Sequence, residues 1–161
     1  MGTPGLRSAI GLIVAVLAVS SAAAIGGAAT SSSVGEWYQA LRKPSFNPPS
    51  WIFGPVWTAL SAMMATAAWL VWMKRGFADA QLPLALFGLQ LALNAAWSVL
   101  FFGLRNPGLA LVDIGLLWAA ILATLLAFRP ISLPAALLLA PYLVWVSFAA
   151  VLNHAIWSLN R

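Results

Sequence analysis

Apolar residues in this chain run on in long blocks, separated by short polar or proline-bearing stretches. The blocks fall at Ser8–Ala29, Trp51–Met73, Leu82–Phe102, Leu109–Phe128 and Leu133–Trp157. Each holds about 20 residues or more, enough at ~1.5 Å per residue to cross a hydrocarbon core of ~30 Å. Backbone groups in lipid must be hydrogen-bonded within a helix or a closed barrel, and a barrel would show alternating segments of about ten residues. The pattern therefore predicts an all-α membrane protein, one transmembrane bundle of five helices over residues 1–161.

The punctuation between blocks supports these limits. Asn47-Pro48-Pro49 predicts an N-cap with proline in the first turn of the second helix, Pro83 and Pro134 start the third and fifth, and Arg129-Pro130 ends the fourth. Short connections at Lys74–Gln81, Gly103–Gly108 and Arg129–Ser132 predict antiparallel neighbours. Thr30–Ser50 is long and holds Trp37, Tyr38, Pro44, Phe46, Pro48 and Pro49. A merely flexible linker would be rich in Gly and Ser. This stretch is expected to be an ordered loop folded over one end of the bundle. The first block, with Arg7 before it and Ala22-Ala23-Ala24 within it, also has the look of a secretory signal. It runs past the usual signal length, however, and Gly11, Ala15, Ala18, Ala22 and Gly26 recur at the spacing that lets membrane helices pack closely. It is expected to be a retained helix.

Composition agrees and removes several function classes. Hydrophobic residues make up 63% of the chain and charged residues 7%, against roughly 25% charged in a soluble domain. The net charge of +5 comes from eight Lys and Arg against three acids, scattered between apolar blocks with no basic stripe, so nucleic-acid binding is rejected. Arg7, Lys74, Arg75 and Arg129 fall on one side and Arg42, Lys43, Arg105 and Arg161 on the other, so the positive-inside count ties. The absence of Cys excludes disulfides and thiolate chemistry, and a single histidine, His154, does not make a usual protein metal site. Glu36, Asp79 and Asp113 form no paired carboxylates, and no phosphate loop occurs. Hydrolytic or ATP-driven chemistry is not expected.

Nine tryptophans are many for this length. Trp37, Trp51, Trp72 and Trp157 suit an interfacial belt. Trp57, Trp97 and Trp145 fall within helices, where they serve either as core packing or as the wall of a cavity gripping a flat ligand. Gln90, Asn94, Trp97 and Phe101 share one helical face, which must turn inward because an amide in hydrocarbon is costly unless bonded. That face either bonds neighbouring helices or offers polar contacts to a ligand. Asp113, one turn into the fourth helix, is expected to be an anchor compensated by Arg105 or a helix N-terminus. Pro141 should bend the fifth helix beside Tyr142 and Trp145. His154 is expected near the interface rather than on a haem iron.

The segment WYQALRKPSFNPPSWIFGPVW at 37–57 resembles the signature of the tryptophan-rich sensory protein (TspO/MBR) family, whose animal members are the translocator proteins, once called peripheral benzodiazepine receptors. LQLALNAAWSVLFFG at 89–103, ALVDIGLL at 110–117 and PYLVWVSFAAVLN at 141–153 continue the likeness over almost the whole chain. The resemblance implies a five-helix bundle, commonly a homodimer, that binds porphyrins, haem or other flat hydrophobic ligands as a sensor or transporter and requires no cofactor. It places the pocket beneath the first long loop, with Tyr38, Pro48 and Pro49 in the loop signature and Trp57 on the second helix. Asn94 and Trp97 match the third helix, Trp145 the fifth, and Ala149 and Leu152 its flank. Gln90 joins these from the shared face. Two other readings stand beside this one: light- or oxygen-dependent porphyrin breakdown, and an adaptor bundle assembled through the small residues of the first helix. Phe46 stands where the family usually has tryptophan. His154 and Ala155 replace the two tyrosines that follow Leu-Asn in the sterol segment of animal members, so sterol binding does not carry over.

Overall fold

The computed structural model describes residues 4–161. Five helices long and apolar enough to span a membrane account for most of it. α1 covers Pro4–Ser31, α3 Phe53–Asp79, α4 Gln81–Ser98, α5 Pro107–Phe128 and α6 Leu133–Leu159. A short helix, α2 (Trp37–Ala40), lies in the loop after α1, and a 3-10 turn at Ser50–Ile52 leads into α3. The protein is a multi-pass membrane protein.

Local chemistry sets the starts of two helices. Asn106 accepts a hydrogen bond from the Leu109 amide at 3.0 Å, with Pro107 opening α5, and Ser132 caps α6 through the Ala135 amide at 3.4 Å. Asn47 does not play that part for α3. Its side chain accepts from the Tyr38 hydroxyl at 3.2 Å instead, and Pro49 is extended (φ −57°, ψ 140°), so the helix begins only after the 3-10 turn. Pro48 precedes Pro49 and is pushed out of the helical region, so it cannot serve as the first helical residue after Asn47. At its far end α3 runs past Met73 to a break at Gly76, whose φ of 75° and ψ of 176° suit only glycine. Pro141 lies inside α6 without interrupting it and is exposed.

Contacts close a ring in the order α1, α3, α6, α5, α4 and back to α1. The Trp69 indole near the end of α3 donates to the Ser8 carbonyl at 3.1 Å near the start of α1, so those two are antiparallel. Gly26 of α1 lies against Ser98 of α4, both near their C-terminal ends, so that pair is parallel. The loop after α1, the turn before α5 and the end of α6 thus share one end of the bundle, the loop end.

The small residues of α1 are used within the chain. Gly11, Ala15, Ala22 and Gly26 are buried together with Val19, while Ala18 faces outward. A side chain at Gly11 would collide with the Trp72 indole, and one at Gly26 would come 3.1 Å from the Ser98 hydroxyl. The stripe expected to let helices pack closely does so within the chain, as a seam against α3 and α4. Asp113 also departs from expectation. Arg105 donates to the Ser33 hydroxyl at 3.2 Å rather than to the carboxylate, and Asp113 Oδ2 is buried without a partner. Arg105 stands in the turn at φ 52°, which sends its side chain to the loop.

Gly11→Ala should lower stability by about 1–3 kcal/mol through overpacking. Gly27→Ala, where an added methyl meets nothing within 4 Å, should leave it unchanged or higher. Thermal unfolding followed by circular dichroism in detergent tests this, and equal losses for both variants would refute the seam.

Candidate functional site

Each helix contributes its loop-end half to an internal cavity of about 460 Å³. That volume lies within the ~300–1,000 Å³ that small-molecule sites occupy. The loop roofs it. Tyr38 and Val34 reach the wall from above, and α2 is held down by aromatic contacts of Trp37 and Tyr38 with Phe101 and of Tyr38 with Phe102. The last turn of α4 widens into a π-helical turn at Val99–Gly103, and successive residues Phe101 and Phe102 are both buried. Such bulges commonly sit at functional sites.

Three indoles face the space, each fixed by a neighbour. Trp57 packs edge-on against Tyr142 at 6.2 Å, Trp145 edge-on against Phe53 at 5.8 Å, and Trp97 stacks on Phe101 at 5.2 Å. The Trp97 N–H donates to Asn153 Oδ1 at 2.9 Å, and Asn153 Nδ2 donates in turn to the Pro107 carbonyl at 2.8 Å. One amide therefore ties α4, α5 and α6 together. Asn94 donates to the Tyr142 hydroxyl at 2.7 Å, which holds its amide at the wall. No Asp, Glu, Lys, Arg or His is among the lining residues. The cavity is an aromatic, neutral space with a few fixed amide and hydroxyl groups.

Charge appears above it. The Lys43 ammonium lies 4.7 Å from the centre of the Tyr38 ring and donates to the carbonyls of Gln39 and Leu41. Burial pushes the Tyr38 phenol above its usual range, partly opposed by its hydrogen bond to Asn47. The roof is tied to the end of α6 by a reciprocal pair: the Arg42 amide donates to Asn160 Oδ1 at 2.9 Å, and Asn160 Nδ2 donates to the Arg42 carbonyl at 2.8 Å. Phe46 meets Phe148 of α6 edge-on at 6.4 Å.

Of the residues singled out from the sequence, Tyr38, Trp57, Asn94, Trp97, Trp145, Ala149 and Leu152 line this cavity. Pro48 and Pro49 do not; they shape the loop between Asn47 and the 3-10 turn. Gln90 lies one helical turn deeper than Asn94, is 1% exposed, and reaches Met64 Sδ at 3.8 Å, so it meets the cavity only through Met64. His154 is exposed beside Trp157, outside the cavity. Several wall residues escaped the sequence reading. Phe53 sits four before Trp57, a spacing that could have revealed it. Ala22, Ala23, Gly26 and Gly27 gave no such signal, because small residues read as packing and here they supply width.

The TspO/MBR family model matches residues 13–158. The Tryptophan-rich protein TspO of Chlorobaculum tepidum is 51% identical over 128 residues, covering 77% of this chain and 79% of that protein. The protein of the same name from Archaeoglobus fulgidus is 43% identical over 149 residues, covering 92% and 96%. The human Translocator protein is 46% identical over 127 residues, covering 78% and 75%.

Asn153→Leu keeps the side chain's bulk but leaves the Trp97 N–H and the Pro107 carbonyl without their partner. Stability should fall by about 1–2 kcal/mol, in the range for such bonds in membranes. Unfolding in detergent micelles measures it; an unchanged midpoint would show that the amide is no strut.

Proposed function

This chain belongs to the TspO/MBR family, and on that premise we propose that it is a membrane sensor or transporter that binds a flat tetrapyrrole, a porphyrin or haem. One observation carries the reading: a cavity of about 460 Å³ faced by Trp57, Trp97 and Trp145 and free of charged side chains. Indoles fixed by edge-on and stacked neighbours offer broad rigid surfaces at small entropic cost, and each aromatic pairing is worth about 0.5–1.5 kcal/mol beyond its area. The Asn94 amide and the Tyr38 hydroxyl give such a ligand an orientation.

The same wall sets how a tetrapyrrole carrying carboxylates would lie. Charged groups gain nothing within a neutral space and lose their hydration there. They belong at the loop end, where Arg42, Lys43 and Arg105 stand among the roof residues. His154 lies outside the cavity, so this reading gives haem no histidine ligand and treats metal-free porphyrin and haem alike.

Titrating the purified protein with protoporphyrin IX should quench tryptophan emission saturably. Trp57→Leu combined with Trp145→Leu should weaken binding roughly tenfold or more, as two lost aromatic pairings of ~0.5–1.5 kcal/mol each require. Haem should bind within about threefold of protoporphyrin, since the reading supplies iron with no ligand. Unchanged affinity in the double variant would place the ligand elsewhere.

A further inference from the structure

The cavity has an open margin, and that margin belongs to only two helices. Among its lining residues, Ala23, Gly27, Ser31 and Gly54 are exposed on the outer surface, while the rest are buried or half-buried. Ala23, Gly27 and Ser31 lie four apart and form one edge of α1. Gly54 faces them from α3, with Trp57 and Ser61 behind it at helical spacing. A methyl group added at Gly27 or Gly54 would meet no heavy atom within 4 Å. These residues border a slot.

The slot exists because α1 changes partner along its length. Far from the loop it is held to α3, through Trp69 on the Ser8 carbonyl at 3.1 Å and Trp72 over Gly11. Near the loop it is held to α4, with Gly26 against Ser98 and the Ser33 hydroxyl on the Phe102 carbonyl at 2.7 Å. Between Ala23 and Ser31 its exposed edge borders the cavity, with Gly54 of α3 on the other side. That stretch is roughly 12 Å long at ~1.5 Å per residue, and it reaches the ends of both helices, Ser31 and Phe53. The slot therefore runs from the hydrocarbon into the headgroup layer.

We propose that this slot between α1 and α3 is a lateral portal, through which a flat amphiphile passes between the bilayer and the cavity. The proposal rests on the ligand-binding reading above and adds the route. The apolar plane slides edge-on past Ala23, Gly27 and Gly54, which present no long side chain to displace. Its polar edge stays in the headgroup layer, because the neutral cavity offers a charge no partner. Entry through the roof would instead have to break the Asn160–Arg42 pair and the Tyr38–Asn47 bond and part Phe46 from Phe148. Passage through the slot breaks none of them.

The chain has no cysteine, so Thr58→Cys, exposed on α3 one turn beyond Gly54 and outside the cavity lining, carries a unique thiol beside the slot. The variant is folded in lipid nanodiscs, blocked there with a bulky methanethiosulfonate, and later released with reductant. Stopped-flow transfer of protoporphyrin IX from phosphatidylcholine vesicles reads the rates, and equilibrium quenching reads Kd. Blocking should slow association and dissociation alike by about tenfold or more and leave Kd within about threefold, since a barrier on the route changes both rates together. Release by reductant should restore both, which a misfolded protein could not do. Asn160→Ala, which loosens the roof, should leave the rates unchanged. A normal Kd with rates insensitive to the block overturns the portal alone, as does faster exchange in Asn160→Ala without any effect of the block. No saturable binding to the unmodified protein overturns the ligand-binding reading and the portal with it.

Discussion

The position of α1 rests on two glycines that face different partners. Gly11 lets the Trp72 indole lie across the helix, and Gly26 lets Ser98 approach from α4. Lipid gives helices no hydrophobic reason to pair, so close backbone approach and van der Waals contact must hold them. Because the two contacts lie on different neighbours, α1 crosses from one to the other instead of filling the groove between them. The space it fails to fill becomes part of the cavity. A longer side chain at either glycine would alter both the seam and the volume.

Amides do the rest of the positioning. Asn153 joins three helices through one side chain, Asn94 joins α4 to Tyr142 of α6, and Asn160 joins α6 to the loop. Asn153 and Asn94 lie where water is scarce, so their partners would otherwise be left unbonded at a cost of about 1–3 kcal/mol, whereas Asn160 is exposed and its clasp can exchange with water. Among the described residues three buried polar atoms have no partner, the Trp72 indole N–H, Gln90 Oε1 and Asp113 Oδ2. None of the three belongs to a residue of the cavity wall.

The fold was legible in the sequence because lipid leaves little choice: a long apolar block with prolines at its edges has only a helix to become. Phe128 and Leu133 emerge at the expected positions, since Arg129-Pro130 and Ser132 act through local geometry. Asn47 misled for the opposite reason. It has the form of a cap, but a tertiary contact with Tyr38 outbids the local one. The site was partly legible. Trp57, Trp97 and Trp145 stand out because an indole in mid-helix requires explanation, and the inward face through Asn94 follows from the cost of a bare amide. Gln90 obeys the same periodicity yet lies beneath the floor, because depth along a helix is not encoded in which face a residue takes. The contribution of α1 was hidden, since glycine and alanine look the same whether they meet a neighbour or leave a gap.

The clasp between Asn160 and Arg42 joins residues 118 positions apart. Synthesis proceeds from the N-terminus, so the loop is made four helices before its fastener. Trp57, Trp97 and the π-helical turn are all in place while Arg42 still lacks its partner, and only the end of α6 supplies it. The cavity is consequently closed in stages: α2 can settle on Phe101 and Phe102 once the π-helical turn is made, and the rest of the loop is fastened only when α6 has brought Phe148 and Asn160.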